Sequence, residues 1–299
     1  MAAICRPDRI VLDVILSQVA TGLVLGGLYV LIAIGLSIIF GLLGIVNFAH
    51  GNFFALGAYF ALTLYQYLGW PGVLLAPILV GLVGMAVERT LIRQLYDKEP
   101  LVSLIITFAL ALMIEALLRL IYGGIGQPFN QPEFLSGIYL WGPLLITKYR
   151  LTVFLTTVVL LIALWAFMQF TPYGRILRAG SRDPEMVGLL GIRLPRVLTA
   201  VFGLGCCLAG IAGVLAAPLW TVIPSMSENA IMPAFVVVVI GGLGSFAGAV
   251  IAGLMVGVVT ALTIQFEPDA ANAMMYIFMA AVLLVRPRGL LGERWERFE

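Results

Sequence analysis

The hexapeptide NFAHGN, residues 47–52, carries the polar side chains that could do chemistry inside an otherwise apolar part of the chain. Residues 14–87 contain no Asp, Glu, Lys or Arg, and His50 is the one group among them that titrates near neutral pH. Asn47 and His50 are three residues apart, which would place both on one helix face. Because an ionisable residue at membrane depth is a functional candidate, Asn47, His50 and Asn52 could line a translocation path. Alternatively, Asn47 caps the following helix and His50 makes one structural hydrogen bond.

Catalytic and cofactor motifs are scarce in this chain. Ser245 with His50 is the one nucleophile and base that could serve an intramembrane hydrolase, and nothing in the sequence shows that they meet. The phosphate-binding pattern GxxxxGK[ST] is absent, so the chain is not expected to hydrolyse ATP itself. Cys5, Cys206 and Cys207 have neither metal-site nor disulfide spacing. We therefore predict a non-enzymatic protein without a metal or cofactor.

The composition identifies a membrane protein. Hydrophobic residues make up 62% of the 299 residues and charged residues 11%, against roughly 45–50% and 25% in soluble domains. The net charge of +2 predicts neither a nucleic-acid footprint nor a polybasic lipid-binding surface. A crossing needs about 20 apolar residues, so residues 14–87 hold three spans. Further apolar segments are residues 101–122, 151–170, 197–217, 231–265 and 271–285.

The basic residues predict the topology, because Lys and Arg collect on the cytoplasmic side. Three stretches are placed inside: Arg89, Arg93 and Lys98; Arg175, Arg178, Arg182, Arg193 and Arg196; and Arg286, Arg288, Arg294 and Arg297. Ser227 and Glu267 are placed outside, with Lys148 and Arg150 as an exception to the rule. If residues 241–245 form an inner turn, nine crossings result, or eight if one segment is re-entrant. The fold class is thus an all-α polytopic transmembrane bundle, and residues 1–299 form a single transmembrane domain.

Residues 172–196 form the most highly charged connection, and we predict that they are a cytoplasmic docking loop. Asp183 followed by Pro184 is a strong helix start, and Glu185 complements the positive end of that helix. Gly191 can supply the left-handed residue that ends it. Its apolar residues are Met186, Val187, Leu189 and Leu190. Such a short helix fits a groove on another protein, or alternatively lies on lipid headgroups.

Glycine is dense in the apolar segments and often recurs every four residues. This is the small-xxx-small pattern that lets membrane helices approach closely, with or without a role in transport. The predicted packing residues are Gly22, Gly26, Gly244, Gly248, Gly253 and Gly257. Residues 41–49 also resemble residues 241–247. An internal duplication would suit a transporter, although glycine-rich apolar sequence produces such matches easily.

Four segments together carry a family resemblance that covers nearly the whole chain. They are GLYVLIAIGLSIIFGLLGIVNFAHGNFFALGAY, GRILRAGSRDPEMVGLLGI, VVIGGLGSFAGAVIAGLMVG and VLLVRPRGLLGE. The chain resembles the inner-membrane permease of bacterial branched-chain amino acid ABC importers. By this resemblance, residues 178–192 are similar to the segment that couples the permease to its ATP-binding subunit. The predicted coupling residues are Arg175, Arg178, Asp183, Pro184, Glu185, Leu189, Leu190 and Gly191. Val187 and Gly188 depart from the alanines usual in that helix.

The resemblance also implies partners and a location. They are two ATP-binding subunits, a second related permease chain, an extracytoplasmic solute-binding protein and the lipid of a bacterial inner membrane, which this chain crosses several times. The implied function is import of branched-chain or related amino acids, with urea or short amides as alternative substrates. An ion-gradient-driven secondary transporter is the alternative from another class. No acidic residue deep in a span supports that alternative, and Glu115 with Arg119 is interpreted as a structural pair.

Overall fold

The structure is a computed structural model that describes residues 7–96, 98–141, 144–182 and 184–292. The helices of this part of the chain are α1 Pro7–Leu43, α2 His50–Leu68, α3 Trp70–Val73, α4 Ala76–Thr90, α5 Pro100–Tyr122, α6 Lys148–Phe170, α7 Pro172–Arg182, α8 Pro184–Leu189, α9 Leu194–Ala216, α10 Glu228–Gly241, α11 Phe246–Phe266 and α12 Ala271–Val285. One hairpin, of β1 Ile138–Trp141 and β2 Leu144–Thr147, pairs antiparallel between α5 and α6. The predicted helical bundle is confirmed, with this hairpin as an addition.

Eight helical segments within the described residues are long and apolar enough to cross a membrane. They are Asp13–Leu43, Trp70–Thr90, Pro100–Tyr122, Lys148–Phe170, Leu194–Ala216, Pro224–Gly241, Phe246–Phe266 and Pro268–Val285. The apolar segment 231–265 divides at the turn between α10 and α11, as predicted. The polytopic bundle of eight or nine spans is therefore confirmed.

The ninth long helix, α2, begins inside the bundle. Gly44, at a φ of +65°, follows the end of α1, and residues 44–49 then fold back along the helices. Thr107, the eighth residue of α5, donates a hydrogen bond to the carbonyl of Val46. At a rise of 1.5 Å per residue, this contact lies about 10 Å in from the start of α5. From there α2 runs to the opposite end of the bundle, where Tyr65 packs against Phe129.

Helix α1 is the centre of the bundle, where it packs against α9, α10 and α11. Gly22 and Gly26 lie directly against α11, since a Cβ added to them would be 2.6 Å from Val258 Cα and 2.7 Å from the Gly253 carbonyl oxygen. Gly257 lies against the Gly26 backbone in turn. The two helices approach as closely as their backbones allow, which requires glycine at these positions.

Two other glycines of the predicted packing set are placed differently. Gly248 lies in the first turn of α11, against the backbone of Gly241. Gly244 precedes α11 in the turn, at a φ of +82°, and a Cβ added there would meet nothing within 4 Å. Gly244 therefore serves the turn and does not extend the stripe of close contacts. Its backbone N–H donates to Ser37 Oγ of α1 at 3.2 Å.

The described residues of the three basic stretches lie at the same end of the bundle, while Arg294 and Arg297 lie outside the described residues. Arg93, after α4, donates to the carbonyl of Pro195 at the start of α9. Leu290, after α12, donates to the carbonyl of Ile240 at the end of α10. The end of α1 reaches the same region, because Leu42 contacts Gly180 of α7. This end is called the arginine-rich end below.

Candidate functional site

The polar segment 47–52 connects α1 to α2 and is only partly helical. Asn47 precedes α2, and its side-chain oxygen accepts a hydrogen bond from the Ala49 N–H at 3.1 Å. The prediction that Asn47 and His50 share a helix face is therefore wrong, because Gly44 and the turn at 47–49 delay the helix until His50. The Asn47 oxygen instead organises the turn, as residues of this type often do before a helix.

His50 and Asn52 point to different neighbours. His50 is fully buried against α1, where a Cβ on Gly35 would lie 2.9 Å from its Nε2 atom. Asn52 donates from Nδ2 to the carbonyl of Ala111 in α5 at 2.9 Å. Asn52 also lines a cleft, and neither Asn47 nor His50 does so. Of the three candidate path residues, Asn52 alone is in the lining of this cleft.

This cleft, called the polar cleft below, has a volume of about 580 Å³. It lies within the range of roughly 300–1,000 Å³ that is usual for small-molecule sites. Its polar groups include Asn52, Glu115, Glu228, Asn229, Thr260 and Asn272, and its larger apolar residues include Phe108, Met232 and Met275. Glu228 and Asn272 are exposed whereas Asn52 is buried. The polar cleft thus runs inward from the end of the bundle opposite the arginine-rich end.

Glu115 lines the polar cleft, although its spacing from Arg119 in the sequence predicts only a structural ion pair. Its carboxylate accepts a hydrogen bond from Arg119 at 2.9 Å, one turn further along α5. The Glu115 side chain is 17% exposed and that of Arg119 is 62% exposed. The charge spacing predicts this pair, but the pattern of α5 carries no signal that Glu115 borders an opening.

The proposed hydrolase pair is not joined by any hydrogen bond in the part of the chain that the structure describes. Ser245 Oγ accepts from the backbone N–H of Gly248 at 3.1 Å and caps α11. His50 is the first residue of α2, and its side chain lies next to Gly35 of α1. The serine therefore has a structural role at a helix start, and the arrangement gives no support to a nucleophile and base.

The docking loop, residues 172–196, folds as α7, α8 and the start of α9. Pro184 is the first residue of α8, and Gly191 follows that helix at a φ of +77°. Asp183 lies outside the described residues, and so do the side chains of Pro184 and Glu185. Leu189 and Leu190 are 82% and 72% exposed. The loop therefore presents apolar side chains at the arginine-rich end. Arg175 and Arg178 lie on α7, and Arg178 donates to the carbonyl of Met168.

An ion pair between the partly exposed Arg93 and a buried carboxylate supports the base of this loop. Glu88, fully buried at the end of α4, accepts hydrogen bonds from Arg93 at 3.3 Å and from the Tyr96 hydroxyl at 2.5 Å. Burial and the hydrogen bond to Glu88 raise the pKa of the Tyr96 hydroxyl, so this group stays protonated and donates. Arg93 also bonds to Thr199 Oγ1 of α9 at 2.6 Å. The ion pair thus joins α4 to the helix that follows the docking loop.

Impermeant labelling of single cysteines tests which end faces the cytoplasm. We expect Arg288→Cys to react only in inside-out vesicles and Glu267→Cys to react only in intact cells, because arginines collect on the cytoplasmic side. Both positions are exposed, and the parent variant for this test lacks the native cysteines. Reaction of Arg288→Cys in intact cells would contradict the orientation.

Apolar spans around an inward-running polar cleft, with arginines gathered at one end, define an integral membrane transport protein. Residues 18–286 match the family described as "Branched-chain amino acid transport system / permease component". The chain belongs to this family of transport permeases, and it is an inner-membrane protein. The predicted family is confirmed.

Several relatives extend the comparison. LivH, a permease protein of the high-affinity branched-chain amino acid transport system of Escherichia coli K12, is 30% identical over 295 residues, which cover 93% of this chain and 95% of that protein. BraD, the corresponding permease protein of Pseudomonas aeruginosa, is also 30% identical with the same coverage. LivM of E. coli K12 is 25% identical over 288 residues, covering 88% of this chain and 68% of that protein. No solved structure matches the chain significantly.

Proposed function

We propose that this chain is one of two related permease chains in an ABC importer of branched-chain or related amino acids. Two ATP-binding subunits supply the energy, and an extracytoplasmic solute-binding protein delivers the ligand. Family membership supports the permease role, and the branched-chain amino acid transport systems to which LivH, BraD and LivM belong support the substrate class. Similarity to both LivH and LivM, which carry the same system name in one organism, supports a pair of permease chains.

The polar cleft is the observation that carries this proposal. Polar and ionisable side chains that face hydrocarbon are costly, so the presence of Asn52, Glu115 and Thr260 supports a cleft that faces protein or water and not lipid. A second permease chain that covers the cleft would close it into a route for solutes. In this arrangement Asn52 lines the route, and Asn47 and His50 shape the segment behind it.

The lining of the polar cleft suits a small solute with an apolar side chain. Phe108, Met232 and Met275 supply apolar surface, while the amide of Asn52 and the carboxylate of Glu115 supply hydrogen-bonding groups. Urea or a short amide would leave much of that apolar wall without a partner. The lining therefore favours amino acids with aliphatic side chains over these alternative substrates.

The docking loop is proposed to couple this chain to an ATP-binding subunit. Its exposed Leu189 and Leu190 project at the arginine-rich end, where the chain has no apolar partner for them among the described residues. A groove on a partner protein would bury both leucines, and each buried leucine contributes roughly 1.5–3 kcal/mol. An interfacial helix on lipid headgroups is the competing arrangement for this segment.

Two acidic residues of the spans argue against an ion-gradient mechanism, whereas Asp13, Glu228 and Asp269 lie near the ends of their candidate spans. Glu88 is paired with Arg93, and Glu115 is paired with Arg119. A site for a proton or sodium ion needs a carboxylate whose charge the ion itself balances. Both of these carboxylates already have a guanidinium partner, which favours energy supplied by ATP-binding subunits.

Reconstitution of the assembled complex in liposomes tests the proposal directly. We expect uptake of leucine, isoleucine or valine that requires ATP on the side of the ATP-binding subunits and saturating binding protein on the other side. Uptake that persists without ATP and follows an imposed proton or sodium gradient would contradict it. Titration of the binding protein with these amino acids, and with urea and acetamide as controls, tests the substrate class separately.

Asn52→Leu is expected to lower the uptake rate per folded complex several-fold. The change removes the amide from the wall of the polar cleft and breaks its hydrogen bond to Ala111. Thr63→Val is the matched control, because Thr63 links the same two helices through Tyr122 and lies outside the cleft. Equal uptake by the two variants would remove Asn52 from the route.

Gly191→Val is expected to weaken ATP-binding-subunit docking, measured by co-purification and by ligand-stimulated ATP hydrolysis. A β-branched residue is strained at the φ of +77° that ends α8. Gly123→Val carries a similar strain at a φ of +84°, also without neighbours within 4 Å, but lies at the opposite end. We expect the complex that contains the Gly123→Val control to hydrolyse ATP normally. Normal hydrolysis in both variants would show that the loop does not couple.

A further inference from the structure

A second cleft lies at the arginine-rich end, between the end of α4 and the start of α9, and has a volume of about 740 Å³. Four arginines line it, namely Arg89, Arg93, Arg193 and Arg196. Its described lining contains no carboxylate side chain. This cleft is called the arginine cleft below, and neither the polar cleft nor the exposed leucines of the docking loop form part of it.

The charges of the arginine cleft are mostly uncompensated. Arg93 pairs with the buried Glu88, whereas Arg89, Arg193 and Arg196 form no ion pair with a carboxylate of the described residues and lie exposed. The cleft thus holds an excess of about three positive charges in a chain whose net charge is only +2. Whole-chain charge predicts no anion-binding surface, because the described acidic residues other than Glu88 lie outside this cleft and offset its charge in the total.

The arginine cleft also has an apolar side. Met85 lines it from within the candidate span Trp70–Thr90, and Leu194 and Ala200 line it from α9. Arg89 lies one turn beyond Met85, at the end of the same span. The cleft therefore combines guanidinium groups at a helix end with apolar surface that continues along the spans. This combination matches a phosphate joined to an acyl chain.

We propose that the arginine cleft binds an anionic phospholipid of the cytoplasmic leaflet. The lipid phosphate accepts charge-assisted hydrogen bonds from the guanidinium groups, whose forked donors suit phosphate oxygens. Basic pockets between membrane helices on the cytoplasmic side bind anionic headgroups in this way. Gly188 and Ile192 of the docking loop complete the lining, so a bound lipid lies directly against the segment proposed to couple to ATP hydrolysis.

Native mass spectrometry of the full chain, purified in detergent, tests the site with phosphatidylglycerol and phosphatidylcholine of identical acyl chains. We expect tighter binding of phosphatidylglycerol. Arg89→Gln/Arg196→Gln is expected to weaken it roughly 30-fold, about fivefold for each arginine, without changing phosphatidylcholine binding. Arg286→Gln/Arg288→Gln, at the same end and outside the cleft, is the matched control and keeps the affinity. Should the double variant fail to fold, Arg196→Gln alone is expected to give the fivefold loss.

Four results would overturn the proposal. The first is equal binding of the two lipids, and the second is an equal loss of phosphatidylglycerol in the control variant. The third is binding of inorganic phosphate as tight as that of the lipid, which would assign the arginines to a soluble anion. The fourth is unchanged lipid binding with loss of the ATP-binding subunits from the assembled complex, which would assign the arginines to that protein. None of these results depends on which solute the importer carries.

Discussion

Gly257→Val is expected to prevent α1 and α11 from packing together, with a loss of about 3 kcal/mol or more in the free energy of unfolding. A Cβ at Gly257 would clash with the backbone nitrogen and Cα of Gly26 and with the Gly22 carbonyl. A backbone cannot rotate out of the way as a side chain can, so the added atoms exceed ordinary overpacking, which costs about 1–3 kcal/mol. The measurement is denaturant unfolding in detergent, together with the yield of monodisperse complex.

Gly188→Val provides the matched control for this variant. It makes the same substitution within a helix, but a Cβ at Gly188 meets nothing within 4 Å. We expect it to cost nothing measurable, because valine has a slightly higher helix propensity than glycine and the difference is well under 1 kcal/mol. If Gly257→Val unfolds at the same denaturant concentration as this control, close backbone contact does not hold α1 to α11.

Arg93→Met is expected to destabilise the chain by about 3 kcal/mol, the low end of the cost of breaking a buried ion pair, because the Arg93 side chain is 35% exposed. Glu88 is fully buried, and Arg93 is its only ionic partner among the described residues. The variant also loses the hydrogen bonds from Arg93 to Pro195 and Thr199, which join α4 to α9. The free energy of unfolding in detergent measures the effect.

Two further variants separate the buried charge from the lost contacts. Glu88→Gln combined with Arg93→Met removes both charges, and we expect it to recover much of the stability. Arg119→Met breaks the exposed pair with Glu115 and is expected to cost less than about 1 kcal/mol. A double variant as unstable as Arg93→Met alone would show that the contacts to α9, and not the charge of Glu88, account for the loss.

The spans could be predicted because charge and hydropathy vary along the chain on the length scale of a helix. Residues 14–87 lack charged side chains, and the described parts of the three basic stretches meet at one end as their charge pattern indicates. The end of α8 can also be predicted from adjacent residues, since Gly191 supplies the positive φ that its position requires. Each of these features depends on residues adjacent in sequence.

The interior of the bundle could not be predicted in the same way. Helices that are apolar on every side give no periodic signal for the face that meets a neighbour. The polar cleft combines residues from α2, α5, α10, α11 and α12, so no single segment reveals it. The inward path of residues 44–49 depends on Thr107, about 60 residues later. The link from Glu88 to α9 was similarly hidden, because Arg93, the partner of Glu88, bonds to Thr199 about 100 residues later.

The contact between α1 and α11 can form only late in the synthesis of the chain. About 235 residues separate Gly22 from Gly257, and synthesis at roughly 5–20 residues per second takes about 10–50 s to cover them. During that time the glycine-rich face of α1 resides in lipid without its final neighbour. The bundle therefore closes around its first helix only after its penultimate span has been inserted, and slower translation late in the message prolongs this unprotected stage.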